Sequence, residues 1–417
     1  MADLKGHVIL THAAIEALPL WQREMLAAPF YALENEYCMY GDDYFGRKEE
    51  LGQYVELPDG RLPMDPWELR LFRKDAPGED YFICGYYDLM RTSFTYFAAK
   101  CIERLKAGDL EGFAKFAGTV AHVIEDCGCP PHSVGTTMGT DMKMIKMLFP
   151  PDDRKTMALQ YHSVLEGQYE PFNLSASPGL IGTSAEEIAF NIFERFTDML
   201  ENSISRIIPM LDAFYKNDIA LLRKQLTESG EFSSSVLSDF LYSVICVGAS
   251  RFESSELEQL NSAYLSEYTP EIRTGWMPYP YAYPEMRKSP YCLNSNFEPV
   301  DLSLKINGKE RFYENGFGLG VPFKADYILP SGIYKTFKSE VGIHSRLGAR
   351  SGIAFKVLGD GAELAAAECS DSSSSSVLSI DISNIKRLTL KLESTNSECA
   401  WPDNTHAVWG NPRLIKQ

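Results

Sequence analysis

Apolar residues recur with two different periods along the chain. Up to about residue 265 they return every three to four positions, the spacing of amphipathic helices. After about residue 296 the period falls to two, as in Leu388, Leu390 and Leu392 with polar residues between them. Strict alternation is typical of strands in a half-buried sheet. The pattern therefore predicts an all-α domain followed by a small all-β domain.

Capping signals predict where two of the helices begin. Asp109 is a suitable N-cap for a helix that runs from Leu110 to about Asp126. Ser184 and Glu187 form a capping box ahead of a long segment with helical apolar period. These starts predict two long helices within the first domain.

A change of composition marks the join between the domains. Residues 271–296 are rich in Pro and Tyr, which is typical of an extended, packed connector. We therefore expect a helical domain over residues 1–270, a connector over 271–296 and a β domain over 297–417.

The charge balance limits the partners of the bare protein surface. The 417 residues include 40 Lys and Arg against 57 Asp and Glu, a formal net charge of −17. This balance disfavours a broad basic surface for duplex nucleic acid. It is compatible with an enzyme that holds phosphate through bound metal.

Cysteine and apolar content bear on the compartment. Nine scattered cysteines are typical of free thiols rather than of a disulfide framework. The longest apolar stretch, residues 240–249, is short of the ~20 residues of a transmembrane helix, and no cleavable leader precedes His7. We expect no transmembrane segment and a cytoplasmic location by default, or secretion if the chain has been trimmed.

Histidine is concentrated in the first half of the chain, and most of it has metal-ligand spacing. His122 and Asp126 are four residues apart on one helical face, and His132 follows six residues later. His162 and Glu166 form a second pair with the same spacing. Imidazole and carboxylate side chains that converge in this way suit zinc. A third pair, His12 and Glu16, is interpreted as a surface pair.

The string AHVIEDCGCPPH at residues 121–132 resembles the zinc-dependent phospholipase C family, which shares a helical fold with single-strand-specific zinc nucleases. The resemblance covers about residues 2–265. It implies two or three zinc ions, with Asp126 between two of them. The metal ligands that it implies are Ala2 (through its amine and carbonyl), His7, Asp43, His122, Asp126, His132, His162 and Glu166.

The YGDDY segment at residues 40–44 contains the candidates for catalysis and for substrate binding. The resemblance implies that Asp43 is both a ligand and the water-orienting base, with Asp42 as the spare. It also implies that Tyr44 faces a head group, where an aromatic ring would attract a quaternary ammonium. An ordinary core or surface tyrosine is the alternative for Tyr44.

Two departures from the family pattern bear on the metal site. The family has a further ligand histidine in a stretch where this chain has none, residues 13–121. A carboxylate (Glu56, Asp65 or Asp80), water or nothing takes its place. The family also uses an N-terminal amine, usually of Trp, and here Ala2 after removal of Met1 would supply it.

Residues 297–417 resemble the NPCBM type of carbohydrate-binding module, which implies a galactose-binding-like β-sandwich, or jelly roll. The resemblance is carried by segments including 315–320, 334–343 and 403–409. It leaves calcium open as a ligand, although His344 stands where the family usually has an acid. The candidates for stacking on a sugar are Trp401, His406 and Trp409. In the alternative, Trp409 is a core residue and His406 a surface residue.

Together these features predict a zinc-dependent phosphodiester hydrolase. We expect phospholipase C-like hydrolysis of phospholipid head-group esters, with an accessory carbohydrate-binding domain. One alternative is a nuclease or nucleotidase of the same fold, against which the acidic charge is weak evidence. The other is a non-catalytic carbohydrate- or surface-binding protein with a degenerate metal site.

Overall fold

The chain divides into two units, Met1–Glu256 and Leu257–Gln417. The computed structural model of the protein describes residues 4–41, 72–76, 79–82, 87–133, 165, 167–270, 272–274, 288, 290–296, 298–396 and 405–416.

Helices build the described part of the first unit. A 3-10 turn at Tyr37–Met39 follows the third helix, and a hairpin of strands β1 (Phe72–Ala76) and β2 (Glu79–Phe82) precedes the fourth. The helices are α1 (Leu4–Glu16), α2 (Leu20–Met25), α3 (Ala27–Asn35), α4 (Tyr87–Lys106), α5 (Leu110–Gly128), α6 (Pro130–Ser133), α7 (Ala185–Lys216) and α8 (Ile219–Ala249). A further helix, α9 (Ser254–Gln259), crosses the division between the units.

Both predicted helix starts are confirmed. The side chain of Asp109 caps α5 by accepting a hydrogen bond from the backbone N–H of Gly112 at 2.9 Å. Ser184 caps α7 by accepting from the N–H of Glu187 at 3.2 Å, and the Glu187 carboxylate accepts in turn from Thr183 N at 2.9 Å. Local side-chain chemistry thus sets where both long helices begin.

Helix α8 lies at the centre of the first unit, packed against α1, α4, α5 and α7. By length and composition alone it could cross a membrane, and 78% of its most apolar window is buried inside the unit. Two buried hydroxyls also fix the end of α5, because Ser203 of α7 and Ser229 of α8 both donate to the Gly128 carbonyl, at 2.7 and 2.6 Å. Helix α8 is therefore the core helix that holds the C-terminal end of α5 in place.

The second unit is a β-sandwich, as the alternating pattern predicts. Its two main sheets have the strand orders β13-β12-β15-β10-β4 and β14-β11-β16-β3, with β9 also on β16, and all pairs are antiparallel. The strands are β3 (Ser262–Tyr264), β4 (Ile272–Thr274), β5 (Tyr291–Leu293), β6 (Pro299–Asp301), β7 (Ser303–Ile306), β8 (Lys309–Phe312), β9 (Gly316–Leu319), β10 (Phe323–Ile328), β11 (Thr336–Ile343), β12 (Ile353–Gly359), β13 (Ala362–Cys369), β14 (Ser375–Asp381), β15 (Arg387–Ser394) and β16 (Ala407–Ile415).

The division between the units lies earlier than the expected boundary at residue 270. Strand β3 already pairs with β16, so the β unit begins before the Pro- and Tyr-rich segment. Strands β4 and β5 lie within the expected connector of residues 271–296. Strands of three residues are too short to show a period of two, and β4 pairs with β10, which is distant in sequence.

Candidate metal centre

Three of the predicted ligands meet inside the first unit. His7 of α1 and His122 and Asp126 of α5 are all buried, and their ligand atoms lie within 4.8 Å of one another. His7 Nε2 is 3.5 Å from Asp126 Oδ1, and His122 Nε2 is 3.3 Å from Asp126 Oδ2. The two imidazole rings stack with centroids 4.5 Å apart. The described residues contain no second group of three such ligands this close.

The other ring nitrogen of each histidine is anchored to an oxygen. His7 Nδ1 lies 2.8 Å from Glu125 Oε2, and His122 Nδ1 lies 2.8 Å from the backbone carbonyl of Cys38. When Nδ1 donates to such an acceptor, a neutral imidazole keeps its lone pair on Nε2. Both lone pairs are then directed towards Asp126, and metal-ligating histidines almost always donate their other ring N–H to an oxygen in this way.

The donor atoms fit a zinc ion. Bond lengths of ~2.0–2.1 Å in a tetrahedral site place ligand atoms about 3.3–3.4 Å apart, close to the observed 3.3 and 3.5 Å. His7 Nε2 is buried and makes no hydrogen bond among the described residues. With its proton on Nδ1, His7 would turn a lone pair towards the carboxylate, an arrangement that a cation between them would stabilise. Two nitrogens and one carboxylate are a donor set that zinc accepts.

Asp126 is placed to serve two positions. Its Oδ1 faces His7, which comes from α1, and its Oδ2 faces His122, one turn earlier on α5. The carboxylate can therefore contact one cation on each side. The ligands among the described residues give each side of the Asp126 carboxylate fewer than the four donor atoms that zinc normally takes.

Glu125 is a functional candidate that sequence reasoning missed. It is fully buried, binds His7, and accepts a short hydrogen bond from the Thr11 hydroxyl. Burial raises the pKa of its carboxyl, and the contacts with His7 and Thr11 oppose that rise. The available signal was an acid next to Asp126 on the same apolar helix, but its contact with α1 spans 118 residues.

Two further described residues connect the centre to predicted ligands. Gly41 lies so close to His122 that an added Cβ would be 2.3 Å from the ring Cδ2, and Asp42 and Asp43 follow it in the sequence. Leu165, which directly precedes Glu166, is buried in a cluster with Ile9, Leu10 and Cys129. Gly41 therefore lies against α5, and Leu165 lies against α1.

The remaining predicted residues have different outcomes. His132 lies on α6, of which the structure gives the backbone at this position. His12 is exposed, as a surface residue should be, but its partner is Glu34 at 3.2 Å rather than Glu16. Outside the described residues lie Ala2, Asp42, Asp43, Tyr44, Glu56, Asp65, His162, Glu166 and Trp401, and Asp80 is described only as part of strand β2.

The proposed sugar contacts in the second unit are wrong for Trp409 and His406. Trp409 is fully buried, with its ring centroid 5.4 Å from that of Phe355 and 6.4 Å from that of Phe337. His406 is buried as well, with Nδ1 3.1 Å from the Gly348 carbonyl. Because neither ring offers an exposed face, Trp409 is a core residue, and His406 is not the surface residue of the alternative either.

His344 is a structural histidine with both nitrogens in use. Its Nε2 donates to the Asp301 carbonyl at 3.0 Å, and its Nδ1 accepts from the backbone N–H groups of Arg346 and Leu347 at 3.2 and 3.3 Å. Burial lowers the pKa of His344 to about 4. This neutral ring has no lone pair to offer calcium at the corner where the family usually places an acid.

Comparisons with known proteins recognise the second unit. The family model of the NPCBM/NEW2 domain matches residues 261–415, and no curated protein matches the chain. A CBM51 domain from Clostridium perfringens GH95, solved in complex with methyl-galactose, is 20% identical, with a TM-score of 0.31, over 37% of this chain and 99% of that one. The M60 catalytic domain with two CBM51 domains of Clostridium perfringens ZmpB is 25% identical, with a TM-score of 0.31. The match covers 37% of this chain and spans only 15% of that protein.

One solved structure aligns along both units. The alpha toxin from Clostridium absonum is 11% identical, with a TM-score of 0.33, over 100% of this chain and 95% of that one. All these scores are below 0.5, so the function of the helical unit has to be inferred from its own residues.

Proposed function

We propose that the helical unit is a zinc-dependent phosphodiester hydrolase with its metal centre at His7, His122 and Asp126. The observation that carries this proposal is the convergence of two histidines on opposite oxygens of one buried carboxylate. Both histidines have Nδ1 anchored to an oxygen, so that Nε2 is the nitrogen of each ring that would bind the metal.

The rest of the ligand set is proposed from the sequence. Asp43 follows the residue that packs on His122, and Glu166 follows Leu165 of the cluster beside Ile9. His132 lies two residues into the short helix that comes after α5. With His162 and the amine of Ala2, these donors would complete sites for two or three zinc ions.

Each residue has a distinct role in the proposed chemistry. Zinc held here would act as a Lewis acid towards the non-bridging oxygens of a phosphodiester. Asp43 would orient the attacking water and accept its proton. Tyr44 would lie against the head group of a phospholipid. The missing histidine between residues 13 and 121 would leave one position with a weaker donor.

We propose that the second unit binds carbohydrate, which rests on the NPCBM/NEW2 match at residues 261–415. The binding surface would not include Trp409, which is fully buried. Trp401 remains the aromatic candidate. An accessory module of this type would hold the hydrolase at a glycan-bearing surface.

A panel of three phosphodiesters tests the activity. Zinc-loaded full-length protein is assayed on phosphatidylcholine vesicles, single-stranded DNA and a chromogenic phosphodiester, beside His122→Ala and the surface control His12→Ala. We expect turnover of phosphatidylcholine that is lost in His122→Ala and kept in His12→Ala. DNA as the sole good substrate would establish the nuclease alternative. Bound zinc without any turnover would establish the non-catalytic alternative.

A further inference from the structure

The two histidines of the metal centre have different anchors. His122 Nδ1 donates to the neutral backbone carbonyl of Cys38, whereas His7 Nδ1 faces the Glu125 carboxylate, both at 2.8 Å. A charged acceptor makes a stronger hydrogen bond than a neutral one and raises the basicity of the ring. The two sides of Asp126 are therefore not equivalent.

Glu125 is itself tightly positioned. One of its oxygens accepts from Thr11 and the other contacts His7, so both oxygens are directed at helix α1. Thr11 and His7 are four residues apart on α1 and share a face. Glu125 and Asp126 are consecutive on α5, and they contact opposite nitrogens of the His7 ring. Glu125 therefore supports a ligand and is not directed at the metal position.

We propose that Glu125, held by Thr11, is a positioning residue that fixes the tautomer of His7 and thereby strengthens one particular zinc position. Its Oε2, 2.8 Å from His7 Nδ1, accepts the hydrogen bond from that nitrogen, so that Nε2 presents its lone pair towards Asp126. The position beside His122 takes its Nδ1 anchor from the Cys38 carbonyl instead. This inference rests on the proposed zinc centre.

The tautomer test needs no metal. In ¹⁵N NMR spectra of the metal-free full-length protein, the neutral His7 ring is expected to carry its proton on Nδ1. In Glu125→Gln, the population with the proton on Nε2 should rise. A His7 ring that carries its proton on Nε2 in the wild type, or an unchanged tautomer in the variant, would overturn the inference even if the protein binds zinc.

Zinc titration tests the asymmetry. Metal-free protein is titrated with zinc alone against a chromophoric chelator, and the binding steps are fitted separately. In Glu125→Gln one step should weaken by about 10–100-fold, the usual effect of losing an outer-shell partner, while the other step stays unchanged. Equal weakening of all steps, or of none, would contradict the proposal.

Two other substitutions separate positioning from a general loss of structure. Thr11→Val removes the hydroxyl that holds Glu125 and should weaken the same zinc step by a smaller factor, whereas Thr11→Ser should restore it. Glu34→Gln is the matched control, since Glu34 also contacts a histidine Nδ1, that of exposed His12. It should leave every zinc step unchanged. If the wild type binds no zinc, the proposed function fails, and the NMR result alone decides the tautomer claim.

Discussion

Each unit of the protein buries histidines, and the two units use them differently. In the helical unit, His7 and His122 anchor Nδ1 and direct Nε2 at one carboxylate. In the β unit, both nitrogens of His344 form hydrogen bonds with backbone groups, one as donor and one as acceptor. Burial is the same for all three rings. The hydrogen-bond partners, not the burial, distinguish a candidate metal ligand from a structural histidine.

Removing the Asp126 carboxylate, which both histidines face, should have the largest effect on zinc binding. Asp126→Asn takes away the charge that both histidines face, so we expect zinc affinity to fall by at least about 100-fold, the upper end of the loss seen when only a hydrogen-bond partner of a metal ligand is removed. Isothermal titration of metal-free protein with zinc measures it.

The control for this change is Asp212→Asn, an exposed carboxylate on α7 that pairs with Lys216. It should bind zinc as the wild type does. Tight zinc binding in Asp126→Asn would mean that the metal centre is not at these residues.

Trp409→Ala should affect the other unit. It removes a fully buried ring from between the two sheets and should destabilise the β unit by about 3–5 kcal/mol. Urea unfolding measures this loss, and zinc titration of the same variant should show no change. Loss of sugar binding at full stability would instead return Trp409 to the list of sugar contacts.

Acid should destabilise the β unit through His344. Its folded pKa of about 4 lies below its ordinary value of 6.5, so between these values the unfolded chain takes up a proton that the folded chain does not. The stabilisation is complete above pH 6.5 and is lost as the pH falls to about 4, on the order of 3 kcal/mol at the limit. Urea unfolding at several pH values should show that the free energy of unfolding falls more steeply with decreasing pH for the wild type than for His344→Gln. Parallel curves would contradict a neutral His344.

Gly41→Ala should perturb the metal centre by the smallest amount. The added methyl group would overlap the His122 ring, and overpacking of this kind costs about 1–3 kcal/mol. We expect roughly 10-fold weaker zinc binding. Gly179→Ala, where an added Cβ meets nothing within 4 Å, is the control and should bind zinc normally. Equal affinities would mean that the Gly41 contact does not position His122.

Local signals in the sequence predicted much of the helical unit. The caps at Asp109 and Ser184 depend on residues within four positions, and so does the pairing of His122 with Asp126. Each of these contacts joins residues only a few positions apart, and such short spacings can be seen in a single sequence. The class of fold followed from the change of apolar period.

Contacts between residues that are far apart in the chain could not be predicted from the sequence. The contact of Glu125 with His7 spans 118 residues, and no spacing rule connects them. The burial of Trp409 depends on Phe355 across the sandwich, and an aromatic residue in a strand is equally suited to a core and to a sugar platform. Strands β3, β4 and β5 were missed because each is only three residues long.

Anomalous diffraction at the zinc edge, from crystals of the zinc-loaded full-length protein, tests the central claim most directly. The account predicts anomalous peaks between His7 Nε2 and Asp126 and between His122 Nε2 and Asp126, each about 2.0–2.2 Å from the ligand atoms. It predicts no peak at His344. Zinc bound elsewhere, with His7 and Asp126 at the distances seen here and nothing between them, would contradict it.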